Sequence, residues 1–178
     1  VPCDSVEAKK ATLALANISG PAYLRLAREK TPVVTTLDTP FEIGKAQIYY
    51  ESTEATGKSV GIIACGQLVH IALLAAKELE ASGVSVGVMN LATIKPIDTQ
   101  AIVAFAKKYN KIITAEEHQI AGGMGSAVAE VLAENFPVQI SFVGVHDAFG
   151  QSGTPTELMN HYDMNVETIL NKAQSLLS

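Results

Sequence analysis

Two groups of residues in this chain have the types and spacing to do chemistry. The first is Glu116-Glu117-His118, followed closely by Gly122-Gly123-Met124-Gly125. Two carboxylates and an imidazole could trade protons or hold a metal ion. A glycine-rich turn that opens a helix could hold a phosphate, because the first N–H groups of a helix have no internal partner. The spacing argues against both roles. Consecutive residues at a strand end point in different directions, so the three side chains do not converge on one ion. The glycines match neither the dinucleotide fingerprint nor the P-loop, and no lysine follows them. The expectation is a partly exposed, hydrogen-bonded corner whose glycines permit close packing. The second group is Arg25 and Arg28. A guanidinium fork at the end of an extended segment can grip a phosphate or a carboxylate, or it can pair with an acid such as Glu29 or Asp38. The sequence chemistry leaves both open.

Other reactive side chains are scattered. Cys3 and Cys65 stand far apart, in no metal-type spacing, and Cys65 ends an apolar run that suits a buried thiol. His70, His146 and His161 have no ligand partner at a familiar interval, and no serine sits in a nucleophile elbow.

The elements that position these residues alternate. A helix is expected over 5–19, capped by Asp4 or Ser5 and stopped at Gly20-Pro21. Ala22–Arg28 alternates like a strand, and residues 29–43 read as an extended linker. One helix and one strand cannot build a core, so this part must lean on something mostly absent from this chain. Strands are then expected at 45–51, 59–65, 84–91, 111–115 and 138–143. Helices fall at 67–81, 97–109 and 125–134, with Pro96 initiating the second, and two more close the chain near 155–160 and 166–177. Ser52–Lys58 is a polar turn, too short for a crossover, which makes the strand at 45–51 an antiparallel edge. The expected fold is α/β, a three-layer sandwich. Its five-stranded sheet is mostly parallel, with one antiparallel edge strand and helices on both faces.

Composition narrows the function. Of the 178 residues, 48% are apolar and the net charge is -5, with no basic block. That excludes a nucleic-acid partner and an anionic membrane surface. No apolar run is long enough to span a bilayer. Sparse cysteine fits a reducing, cytoplasmic setting. The opening Val1-Pro2-Cys3-Asp4 reads as the middle of a longer protein.

Several stretches, in order along the chain, resemble the C-terminal section of transketolase. They are Val1-Pro2-Cys3-Asp4, Gly20-Pro21-Ala22-Tyr23-Leu24-Arg25-Leu26-Ala27-Arg28, Thr93-Ile94-Lys95-Pro96-Ile97-Asp98, the corner from Glu116 to Glu130, and Gly150-Gln151-Ser152-Gly153-Thr154-Pro155 with Glu157-Leu158. The resemblance implies three parts. Residues 1–35 look like the end of a thiamine diphosphate enzyme's pyrimidine-binding domain, 36–44 like a linker, and 45–178 like the transketolase C-terminal domain. The complete enzyme would move a two-carbon ketol unit between phosphorylated sugars, using thiamine diphosphate and a divalent metal such as magnesium. The family's diphosphate and metal motif, and the glutamate that protonates the aminopyrimidine, have no counterpart in this chain. The resemblance therefore implies no catalytic, cofactor-binding or metal residue here. It implies a structural, dimer-supporting piece, inactive alone, whose partners are an N-terminal transketolase domain or subunit and a second copy. One substrate-binding residue carries over: Arg28, which would grip the sugar's phosphate tail. Arg25 faces differently and does not carry over. The β subunit of a 2-oxo acid dehydrogenase and deoxyxylulose-phosphate synthase share the same C-terminal domain and are the alternative enzymes. A stand-alone interaction module is the alternative outside enzymes.

Overall fold

In the computed structural model, which describes residues 1–53 and 57–178, the apolar runs assemble into one five-stranded sheet. The strands are β1 (Gln47–Glu51), β2 (Ser59–Ala64), β3 (Ser85–Asn90), β4 (Lys111–Gln119) and β5 (Gln139–Val145). Their order across the sheet is β1-β3-β2-β4-β5. All neighbours are parallel except β1, which runs antiparallel to β3 at the edge, as its short polar connection requires. Part of that connection, 54–56, lies outside the described residues.

Side-chain alternation in the strands divides the core between two faces. On one face Val60, Ile62, Val86, Val88 and Ile113 meet α2 (Leu68–Ala81) and α6 (Val166–Leu177). On the other, Ile63, Met89, Leu91 and Ile112 meet α3 (Thr99–Tyr109) and α4 (Met124–Asn135). Strands covered on both sides are almost wholly apolar, which is why β2 and β3 read as continuous hydrophobic runs. The short α5 (Pro155–His161) starts at a capping box between Thr154 and Glu157.

Two expected boundaries move for identifiable reasons. Helix α3 begins at Thr99 rather than Ile97, because Asp98 is its N-cap and accepts the Ala101 N–H at 3.1 Å. Its other oxygen accepts from the Ala46 N–H at 3.0 Å, tying the approach to β1 onto the same cap. Strand β4 continues past Ala115 to Gln119, with a register irregularity between Ala115 and Gln119.

The N-terminal part departs most from expectation. Ala22–Arg28 is extended but pairs with no strand among the described residues. A strand needs a neighbour to take its N–H and C=O groups, and this segment passes the strand ends near Cys65 and Glu117 rather than running along a sheet edge. Helix α1 (Ser5–Leu15) buries only Glu7 and Ala11, and leaves Leu13 60% exposed. Polar bonds, not an apolar stripe, hold it against the sheet. Asp4 caps it by accepting the Glu7 N–H at 2.8 Å, and also accepts from Val34 N, Thr35 N and Thr35 Oγ1 at 2.7–2.8 Å. Glu7 accepts from Cys3 N and Asn90 Nδ2, both at 2.7 Å, and from Tyr49 Oη at 3.1 Å. The Val1 nitrogen donates to Ala92 O at 2.8 Å, and Gly66 N donates to Val1 O at 3.2 Å. The segment thus leans on this chain's own sheet end, while Tyr23 at 88% and Leu37 at 77% remain exposed.

Burial alone would raise the Asp4 carboxyl, but its four donors outweigh burial and hold it below the ordinary carboxylate range. A carboxyl depressed on folding adds stability at neutral pH that disappears as pH falls through its folded value. Asp4→Asn is therefore expected to cost about 1–3 kcal/mol at pH 7 and progressively less as pH falls below the ordinary aspartate range, read from denaturant midpoints across pH. Gly123→Ala, whose new methyl would overlap Gln119 O and the Glu116 carboxylate, is expected to cost roughly 1–3 kcal/mol in the same assay.

Candidate functional site

The corner between β4 and α4 resolves into three side chains with three fates. Glu116 is buried, 3% exposed, and turns into the start of α4. One oxygen accepts the Met124 N–H at 2.6 Å and the other accepts the Gly125 N–H at 2.7 Å. Burial pushes its carboxyl up, against these two donors that favour the ionised form. Gly123 and Gly125 have no side chain because Glu116 and Thr114 fill the space where one would stand. The glycine-rich turn is a seat for the chain's own carboxylate, as the close-packing reading anticipated. Glu117 is half-buried, and His118 is exposed with Nδ1 2.9 Å from Gln119 O.

The C-terminal ends of β2 and β4 form the topological switch point, where open α/β sheets ordinarily receive ligands. Here Val1-Pro2 and Arg25–Ala27 fill it against Cys65, Gly66 and Glu117, leaving about 20 Å³. Burial pushes the Cys65 thiol up to about 12, with the Glu116 charge adding to the effect, so it is an inert packing group. Thiamine diphosphate does not fit these residues. The two places that could cradle a diphosphate, the start of α4 and the switch-point crevice, hold the protein's own carboxylate and backbone. Among the described residues no three His, Cys, Asp or Glu side chains come together to hold a metal.

The two arginines separate. Arg25 Nη2 donates to Glu117 O at 2.6 Å, with the Glu117 carboxylate 3.9 Å away. Arg28 is exposed at a bend and makes no hydrogen bond or ion pair among the described residues. The ion pair with Glu29 or Asp38, the other reading of an arginine here, does not form. Arg28 instead lines a cavity of about 390 Å³ together with Gln67, Glu117, His118, Gln151 and Tyr162. It also borders a second hollow of about 540 Å³ beside Lys30 and the start of α1. A free guanidinium between two hollows can take an anion of moderate size.

The loop from 146 to 154 walls the first cavity, and two residues that sequence reasoning did not single out hold it. Gln119 Nε2 donates to Ala148 O at 2.9 Å while its Oε1 accepts the Asp147 N–H at 3.0 Å. Tyr162 Oη donates to Phe149 O at 2.8 Å. Neither lies in a recognisable sequence pattern.

Comparison with known proteins agrees with this architecture. A family model described as the transketolase C-terminal domain matches residues 50–169. The 6-deoxy-6-sulfo-D-fructose transketolase subunit SqwH of Clostridium sp. (strain MSTE9) is 36% identical over 175 residues, 98% of this chain and 53% of that protein. A subunit of the apulose-4-phosphate transketolase of Phocaeicola vulgatus is 34% identical over 174 residues, covering 97% and 54%. A solved structure described as a split gene transketolase, inactive beta4 tetramer, superposes with a TM-score of 0.90 at 39% identity, covering 99% of this chain and 56% of that one. The chain thus spans about half the length of these relatives. With its sheet order, its corner and its sequence all in agreement, the chain belongs to the transketolase C-terminal domain family.

Proposed function

We propose that this chain is the C-terminal section of a transketolase subunit, and that Arg28 grips the anionic tail of the sugar in the complete enzyme. The observation that carries this reading is the unpaired Arg28 guanidinium beside a cavity large enough for a sugar phosphate. Two relatives are named for a sulfonated sugar and a phosphorylated one, both with an anionic tail. On this reading residues 1–35 are the end of a pyrimidine-binding domain, 36–44 a linker and 45–178 the C-terminal domain. Thiamine diphosphate and a divalent metal supply the ketol-transfer chemistry, held by an N-terminal domain or subunit and by residues beyond this chain. What these residues contribute is a rigid sheet, support for a homodimer, and one cation for the substrate. The chain alone is inactive, and the setting is cytoplasmic, in keeping with two free, buried thiols.

The test uses the enzyme assembled from the complete subunit and its N-terminal partner. A charge-assisted fork contributes about 1.5–3 kcal/mol, so Arg28→Ala is expected to lower kcat/KM for phosphorylated acceptors about 10- to 100-fold. Unphosphorylated acceptors should be used as before. Equal loss for both would refute the anion grip. Ketol transfer by this chain alone, with coenzyme and metal added, would refute the supporting role.

A further inference from the structure

Resting on the sugar-anion reading of Arg28, we propose that Arg25 is the positioning residue that sets where Arg28 stands. The segment Pro21–Arg28 has no ladder partner. Among the described residues, its only hydrogen bond to the sheet domain is Arg25 Nη2 to Glu117 O, at 2.6 Å. That bond lies three residues from Arg28, and Glu117 lines the same cavity as Arg28. This single hydrogen bond ties the strap, packed into the switch-point crevice, to the end of β4 and orients the guanidinium three places on. Arg25 does not touch substrate itself: the space beside it is about 20 Å³, room for a water at most. The acceptor is the backbone carbonyl. The carboxylate, at 3.9 Å, is beyond hydrogen-bond range and about two-fifths exposed, so it adds little.

A group that acts only through Arg28 has a signature that a general packing role lacks. With Arg28 removed, losing Arg25 should have nothing further to disturb. The experiment is a double-mutant cycle in the assembled enzyme, with phosphorylated and unphosphorylated acceptors. Arg25→Ala is expected to raise KM for the phosphorylated acceptor about 5- to 20-fold with kcat within about twofold, because a misplaced binding group costs affinity first. KM for the unphosphorylated acceptor should stay put. The variant lacking both arginines should match Arg28→Ala alone. Arg25→Lys, which keeps one donor within reach of the carbonyl, should recover part of the loss. Glu117→Gln, which keeps that carbonyl, should cost less than Arg25→Ala. Additive losses in the cycle, a fall in kcat with KM unmoved, or no rescue by lysine would each overturn the positioning role. If Arg28→Ala discriminates between the acceptors and Arg25→Ala is silent, the positioning role fails alone. If Arg28→Ala does not discriminate, the anion reading fails and the proposal falls with it.

Discussion

Two carboxylates that form no ion pair among the described residues organise the N-terminal third of this protein. A buried carboxylate is costly unless its oxygens are filled by donors, and a half-filled one is worse than none. Asp4 and Glu7 meet that demand by drawing donors from Val34 and Thr35, from Tyr49 on β1, and from Asn90 at the end of β3. The geometry has little slack, since most of these distances lie between 2.7 and 2.8 Å. Helix α1 therefore has one place to sit, and both ends of the strap that follows it are set from there. Lys10 Nζ extends the arrangement by holding Thr36 O at 2.6 Å on the far side.

The same device, an acid satisfied by backbone, decides the character of the β4–α4 corner. A helix start offers free N–H groups, and an incoming phosphate competes for them. Glu116 reaches them first, from eight and nine residues away. Together with the filled switch-point crevice, this turns the usual ligand-receiving end of an open sheet into a packing surface. The side chains that still face open space lie further out, on the strap and the loop from 146 to 154.

Much of this was legible in the residues. Buried strands show as continuous apolar runs, so β2 and β3 were visible from Val60–Cys65 and Val84–Leu91. The antiparallel edge followed from the shortness of one connection. Arg28 emerged from family resemblance, and that it forms no ion pair with Glu29 or Asp38 needed coordinates, because rotamers of a long cation are not written in its neighbours. The strap looked like a strand because alternation reports side-chain direction, not whether a neighbour exists to take the backbone hydrogen bonds. Glu116 was misjudged in degree. An acid beside another acid and a histidine reads as exposed, and only the helix start folding back over it shows that it is buried. The Glu7–Asn90 contact, 83 residues apart, has no local trace at all.

Those long separations bear on how the protein is made. Val1 meets Ala92, Glu7 meets Asn90 and Arg25 meets Glu117, each across 83 to 92 positions. A ribosome adds about 5–20 residues per second, so the first third of the chain waits several seconds for its partners to be translated. During that interval the Asp4 and Glu7 carboxylates stay hydrated. Helix α1 therefore cannot complete its contacts until Asn90 and Ala92 have been translated.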